Sequence, residues 1–148
     1  MNVRPLTEHE GRGIASWRYP GPYATYDITE PVTAEDGYWA VEHNGRLVGF
    51  CCFGYEARVP GVDEESGTLD VGYGMHPDLV GRGTGGVFVA AILNFATTMW
   101  SPDRIRMSIL EWNARSRAVA AALGFDEQRI VANESTVFIV MSRTGTPS

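Results

Sequence analysis

A chain of 148 residues, of which 44% are apolar and 20% charged, fits one globular domain that can bury its own core. Its formal net charge of −6 argues against a general nucleic-acid binder, because that class carries a basic excess. No run of about 18 apolar residues occurs, so no membrane span is expected.

The N-terminus and the cysteines predict a cytoplasmic protein. The stretch MNVRPLTEHE lacks the basic region and apolar core of a secretory signal. Cys51 and Cys52 are the only cysteines, and strand neighbours point to opposite faces, which disfavours a bridge between them. No Cys/His cluster has metal-ligand spacing, so no metal is expected.

The first half of the chain predicts four strands. The segment NVRPLT indicates a short strand, and Thr7 with Glu10 forms a capping box for a helix that ends near Trp17. The following RYPGPYATYD contains two prolines and a glycine, which exclude regular structure there. GYWAVEH and RLVGFCCFGY are strand-like and are joined by Asn44 and Gly45, a strong hairpin signal. TLDVGYGM, which follows an acidic loop, is the fourth strand.

The second half predicts a long helix, a strand, a short helix and a final hairpin. From Gly85 to Trp100 the pattern is helical, with one apolar side formed by Phe88, Ile92, Phe95 and Met99. RIRMSILEW is a strand, the short helix runs from Asn113 to Gly124, and QRIVA and TVFIVMS are the last strands. We therefore expect an α/β fold with a mixed, mostly antiparallel sheet of about seven strands and one βαβ crossover, in a single domain over residues 1–148.

The stretch HPDLVGRGTGG, residues 76–86, contains Gly81, Gly83 and Gly86 in the spacing of a dinucleotide-binding loop. Such a loop follows its strand almost directly and belongs to repeated βαβ units, whereas this chain has a longer connection and one unit, which argues against NAD. No Walker motif occurs. Main-chain N–H groups that run into a helix N-terminus still form an anion site, with a ligand-free tight turn as the alternative.

Two segments resemble the GCN5-related N-acetyltransferase (GNAT) family. The loop is similar to the family's acyl-CoA pyrophosphate loop, [QR]-x-x-G-x-[GA], with Gly83 and Gly85 at its glycines and Val80 where the family prefers Gln or Arg. EWNARSRAVAAALGF resembles the family's N-x-x-[AS] element that ends in L-G-F, with Asn113 and Ser116 in register. The likeness covers essentially the whole chain.

The resemblance implies that acetyl-CoA is bound as a co-substrate. In the family the fourth and fifth strands separate and the pantetheine arm lies between them, and a main-chain N–H near Met75 polarises the thioester carbonyl. Asn113 contacts pantetheine in this interpretation, although capping its helix also explains it. The implied acetyl-CoA-binding residues are Met75, Gly81, Arg82, Gly83, Thr84, Gly85, Gly86, Asn113 and Ser116.

The fourth predicted strand supports that arrangement independently. Asp70, Gly72 and Gly74 share one face, which leaves room for a ligand's chain, while a bulge or a close helix contact is the alternative. An amine attacks only when it is neutral, so a base is useful. Asp70 is the first candidate for this base, with an ion-pair partner as the alternative role.

Weaker candidates for the base are Tyr26, His76, Glu56 and Glu111. Many relatives protonate the leaving thiolate with a Tyr that corresponds to Ala120 here, so the usual general acid is missing. Ser116, water, Tyr23 or Tyr26 could replace it. The predicted catalytic residues are therefore Asp70 and Tyr26.

The acceptor amine is expected at the early aromatic segment. Trp17, Tyr19, Tyr23 and Tyr26 crowd into ten residues and could hold an amine by cation–π contact, or could simply pack against the sheet. Glu56 and the acidic run 63–65 could attract a cation or could be solvated.

The resulting hypothesis is an N-acetyltransferase that moves an acetyl group from acetyl-CoA directly to a primary amine of a small molecule or a peptide terminus. The alternative is a non-catalytic acyl-CoA-binding sensor or regulatory module. The sequence leaves the amine open, and the resemblance allows a homodimer. No nucleic acid or membrane is expected as a partner.

Overall fold

The computed structural model describes residues 1–145, and within this part of the chain seven strands form one sheet that carries three α-helices. In chain order the elements are β1 (Asn2–Pro5), α1 (Glu8–Ile14), β2 (Tyr38–His43), β3 (Arg46–Phe53), β4 (Thr68–Met75), α2 (Gly85–Trp100), β5 (Arg104–Leu110), α3 (Ala114–Ala122), β6 (Asp126–Asn133) and β7 (Thr136–Thr144).

The sheet order is β1-β2-β3-β4-β5-β7-β6. The neighbours β4 and β5 are parallel and are connected through α2, whereas the other neighbouring strands are antiparallel. The expected mixed, mostly antiparallel sheet with one βαβ crossover is confirmed. No helix in residues 1–145 is both long and apolar enough to span a membrane.

Local sequence signals explain the first elements. Thr7 and Glu10 form the predicted capping box at the start of α1. Asn44 and Gly45 both have positive φ, 51° and 77°, as a two-residue hairpin turn between right-twisted strands requires.

The early aromatic segment is more regular than predicted. The helix α1 ends at Ile14 rather than near Trp17, and Gly21–Tyr26 forms a 3₁₀ helix where the sequence excluded regular structure. The prediction was wrong because Pro22 stands in the first turn, where its fixed φ is favourable and its missing N–H leaves no donor unpaired.

Two cores cover the two faces of the sheet. One core includes α2 residues Phe88, Ile92 and Leu93, and the other packs α1 against β2 and β3 through Ile14 and Phe50. The apolar stripe of α2 is rotated from the predicted side toward Val89 and Leu93, so Met99 is exposed rather than buried. Cys51 and Cys52 are free, buried and unbridged, as expected from adjacent strand positions.

The strands β4 and β5 separate along their length. They pair from Thr68 with Arg104 to Asp70 with Arg106, and no pairing follows. On the other side of β4, the His76 N–H donates to Val48 O at 2.8 Å. Because hydrogen-bonded and non-hydrogen-bonded pairs alternate along antiparallel strands, the main-chain groups of Tyr73 and Met75 face the open gap.

The junction of β1 with α1 makes stability depend on pH. The Arg4 guanidinium contacts Glu10 at 2.7 Å, and this hydrogen bond lowers the pKa of Glu10 to about 2. A depressed carboxyl pKa contributes stability above the ordinary value near 4.5, and the contribution is lost as pH falls toward 2. Urea unfolding at pH 6 and pH 3 should therefore show Glu10→Gln losing about 1–3 kcal/mol at pH 6 and much less at pH 3.

The matched control is Glu8→Gln, which removes a highly exposed carboxylate paired with Arg12 in the same helix. Its unfolding free energy should stay within about 0.5 kcal/mol of the parent at both pH values. Equal losses for Glu10→Gln at pH 6 and pH 3 would contradict the role of the Glu10 charge.

Candidate active site

A cavity of about 450 Å³ opens where β4 and β5 separate. Its lining begins at the glycine-rich loop 80–86, continues past β4, β5 and α3, and ends at the early aromatic segment and β3. The gap between the strands therefore connects the loop on one side of the sheet with aromatic side chains on the other.

The glycine-rich loop has the properties of an anion site. Gly81 and Gly83 both have φ of 78°, and a Cβ atom on Gly83 or Gly86 would meet nothing within 4 Å. Within residues 1–145, no acceptor takes the main-chain N–H groups of residues 81–84. The loop leads directly into α2, whose first N–H groups and positive dipole end add to the attraction for an anion.

Asn113 connects the two sides of the gap. Its side-chain oxygen accepts the Ser116 N–H at 3.1 Å, which caps α3, and its amide nitrogen donates to the Tyr26 hydroxyl at 2.8 Å. Asn113 is 4% exposed and lines the cavity. Both roles that the sequence left open, the helix cap and the wall of the site, are thus compatible in one residue.

Tyr73 on β4 places a second hydroxyl in the gap. Its ring meets Phe88 edge-on with the centroids 6.0 Å apart, and it lines the cavity. Burial raises the pKa of Tyr73 to about 12, while the neighbouring Ser116 hydroxyl acts in the opposite direction. Ser116 lies one turn before the buried Ala120, so Tyr73 approaches the same face of α3 from the sheet.

Asp70 lies in a buried ion-pair network. It is 3% exposed, and its carboxylate accepts hydrogen bonds from Arg106 Nε at 2.6 Å and from Arg58 Nη1 at 3.1 Å. Arg106 also contacts Glu65 at 3.0 Å. Asp70 is not part of the cavity lining, so the geometry favours the ion-pair role, and the role as base stays a prediction.

Of the weaker candidate bases, Tyr26 lines the cavity, whereas His76, Glu56 and Glu111 do not. The His76 ring packs at a tilt against Trp17 with ring centroids 4.8 Å apart, and its Nδ1 accepts the Asp78 N–H at 3.1 Å. Glu56 and Glu111 are exposed.

The early aromatic residues divide into two groups. Tyr19, Tyr23 and Tyr26 line the cavity, and the Tyr19 hydroxyl donates to Met75 O at 2.6 Å. Trp17 lies outside the lining and packs against Phe50 and His76, which is the packing role that the sequence left open.

A comparison with protein families decides the assignment, since residues 5–126 match the model described as "Acetyltransferase (GNAT) domain". The chain belongs to the GNAT family. The predicted family is thereby confirmed, and with it an acetyl-CoA-dependent acetyltransferase. No curated protein sequence is significantly similar to the chain.

Solved GNAT structures share the fold at low sequence identity. Aminoglycoside acetyltransferase AAC(6')-Ib in complex with coenzyme A has a TM-score of 0.77 and 18% identity, over 97% of this chain and 94% of the other. A chimera of the spermidine N-acetyltransferase SpeG from Vibrio cholerae and hSSAT has a TM-score of 0.72 and 14% identity, over 97% and 95%. The putative acetyltransferase yncA from Salmonella typhimurium, with acetyl-CoA, has a TM-score of 0.69 and 18% identity, over 100% of this chain and 95% of the other.

The residues that this GNAT chain was predicted to use for acetyl-CoA mostly lie together. Met75, Gly81, Gly83, Gly85, Gly86, Asn113 and Ser116 line the cavity. Arg82 and Thr84 do not line it; the side chain of Arg82 is exposed, and the Thr84 hydroxyl lies 4.0 Å from Met75 Sδ. Among residues 1–145, no group of three or more His, Cys, Asp or Glu side chains could hold a metal ion.

Sequence reasoning missed several residues of the cavity. Tyr38 and Phe50 lie in its wall, as does Arg115, whose guanidinium lies 5.1 Å from the Tyr23 ring centroid. Phe50 pairs with Gly74 across β3 and β4, and its ring occupies the space above that glycine. The Asn44–Gly45 turn pairs β2 with β3 and says nothing about the register of β3 on β4, so no local signal places Phe50 opposite Gly74.

The free amides predict the effect of a substitution in the loop. Gly83→Val places a β-branched side chain over the N–H groups and should abolish coenzyme A binding measured by isothermal titration calorimetry. Gly45→Val is the matched control, because Gly45 has φ of 77° and equally open surroundings at a distant turn.

Both variants should lose about 1–2 kcal/mol of stability from left-handed backbone strain, whereas only Gly83→Val should lose the ligand. Retention of full coenzyme A affinity by a folded Gly83→Val protein would contradict the assignment of the loop.

Proposed function

We propose that this acetyltransferase moves the acetyl group of acetyl-CoA directly to a primary amine of a small molecule or a peptide terminus. The observation that carries the proposal is the single cavity that joins the amide-rich loop to an aromatic pocket through the gap between β4 and β5. An aminoglycoside acetyltransferase and a spermidine N-acetyltransferase among the structural neighbours support an amine as the acceptor.

The residues present fit coenzyme A. The unpaired N–H groups of residues 81–84 suit a pyrophosphate, and the glycines let it approach the backbone without obstruction. The main-chain groups of Tyr73 and the N–H of Met75 face the gap without a strand partner and suit the amides of the pantetheine arm, whereas Met75 O already accepts the Tyr19 hydroxyl. Asn113 and Ser116 line the cavity on the side of α3.

Acetyl-CoA, when bound, supplies a thioester carbon that accepts the amine and a sulfur that leaves. The main-chain N–H of Met75 faces the gap, where it can stabilise negative charge that develops on an oxygen; one such donor is typically worth about 3–4 kcal/mol. Burial raises the pKa of both Tyr26 and Tyr73, so each hydroxyl keeps its proton at neutral pH and can donate a hydrogen bond to the leaving sulfur within the gap.

The two phenols replace the general acid that is missing at Ala120. Tyr26 is the predicted catalytic residue that reaches the cavity, and its hydrogen bond from Asn113 fixes the position of its oxygen. Tyr73 was not predicted for this role. Tyr73 lies on β4 and lines the cavity beside Ser116.

We also propose a cytoplasmic location. The two free, buried cysteines support it, since they suit a reducing compartment. The possible homodimer stays a prediction.

The central test mixes the full-length protein with acetyl-CoA and a panel of primary amines and follows the release of free thiol. Amine-dependent release, with the N-acetyl product identified by mass spectrometry, is expected. Tight coenzyme A binding without release above the blank for any amine would favour the binding-module alternative.

The role of Asp70 is tested by its pH dependence. If Asp70 is an ion-pair partner, Asp70→Asn should cost up to about 3–5 kcal/mol of unfolding free energy and leave the shape of the pH–rate profile unchanged. The matched variant Arg106→Gln breaks the same pair from the other side and should behave alike. A displaced profile for Asp70→Asn alone, with stability retained, would restore Asp70 as the base.

A further inference from the structure

We infer that the acceptor is a small molecule with one amine on an aromatic or apolar body, and that the pocket disfavours polycations. This inference rests on the proposed amine acetylation and names the class of amine. It is carried by the composition of the cavity wall.

The acceptor side of the cavity is aromatic. Tyr19, Tyr23 and Tyr26 contribute rings from the early segment, and Tyr38 and Phe50 contribute rings from β2 and β3. The rings of Tyr38 and Phe50 contact each other with centroids 5.9 Å apart, which makes a continuous surface. Such a wall favours a flat apolar body by area burial and ring contact.

No carboxylate of residues 1–145 lines the cavity, whereas polycation sites need several. Within these residues Arg115 is the charged residue of the lining; its guanidinium lies beside Gly81 and 5.1 Å from the Tyr23 ring centroid, so it adds positive charge to both sides of the cavity. A ligand with several ammonium groups would lose water from each group and would find no carboxylate in the described wall in return. A ligand with one ammonium group loses the hydration of that group alone.

The acidic residues near the site are engaged or exposed. Asp70 and Glu65 pair with Arg106, and Glu64 lies 3.9 Å from Arg58. Glu56 and Asp36 are exposed and lie outside the lining, so water and salt weaken their charges. Burial raises the pKa of Tyr38 to about 12, and the charges of Glu56 and Asp36 add to this, so the two carboxylates face the edge of the pocket rather than its wall.

A single ammonium can still be held in this wall. Tyrosine rings attract a cation through their π faces. Within residues 1–145 the hydroxyls of Tyr23 and Tyr38 make no hydrogen bond, so their oxygens are free to accept one from an ammonium group. The described wall thus offers a charged nitrogen neutral acceptors and rings but no carboxylate.

The test compares 2-phenylethylamine and tryptamine with spermidine and kanamycin as acceptors for the full-length protein. We expect kcat/KM for the aromatic monoamines to exceed that for both polycations by about 100-fold or more. Calorimetry with the coenzyme A complex should give the same ranking in affinity without any turnover. A preference for spermidine or kanamycin in either measurement would overturn the inference.

The calorimetric ranking separates the inference from the proposed function. If no amine is acetylated but the coenzyme A complex binds 2-phenylethylamine in preference to spermidine, the proposed function fails and the inference about the pocket stands. If amines are acetylated and spermidine is preferred, the proposed function stands and the inference fails.

Two variants link the preference to the wall. Tyr38→Asp adds a carboxylate at the pocket and should shift the kcat/KM ratio of spermidine to 2-phenylethylamine upward by about tenfold. Tyr55→Asp is the control, because Tyr55 is 79% exposed and lies outside the lining. Tyr38→Phe preserves the ring and the fold, and should weaken binding of 2-phenylethylamine without changing the ratio toward spermidine.

Discussion

The separation of β4 from β5 beyond the Asp70–Arg106 pair is the constraint on which the whole site depends. Up to that pair the two strands share a ladder, and beyond it the main-chain groups of Tyr73 and Met75 have no strand opposite. Polar main-chain groups in a partly buried gap need partners. The buried ion pair joins β4 to β5 at the base of the gap, and Arg58 on Asp70 and Glu65 on Arg106 extend it into a network.

The gap joins a side that favours anions to a side that favours a cation. On the side of α2 and α3, free N–H groups, a helix N-terminus and Arg115 favour phosphate. On the other side, tyrosine rings favour a single cation on an apolar body. The hydrogen bond between Asn113 and Tyr26 connects the two sides of the gap, so it fixes the position of one wall relative to the other. In the proposed function, acetyl-CoA occupies the first side and the amine occupies the second.

Local chemistry explains what the sequence could predict. The capping box at Thr7, the Asn44–Gly45 turn and the glycine loop each need only neighbouring residues, and the structure has all three. The surroundings of Asp70 could not be predicted, because Arg58 and Arg106 are distant in sequence and meet it through the sheet. The 3₁₀ helix Gly21–Tyr26 does not follow from the sequence rule that proline ends regular structure, because Pro22 stands in the first turn, where proline is favourable.

The adjacent cysteines of β3 have a consequence for how turnover is observed. Burial raises the pKa of both thiols, that of Cys52 to about 12, so neither is appreciably ionised at neutral pH. Disulfide-exchange dyes react with thiolates; Cys51 is fully buried, and Cys52 is 5% exposed and lines the cavity. Both thiols should therefore react with such dyes more slowly than liberated coenzyme A does, with Cys52, at the cavity wall, setting the background of the assay.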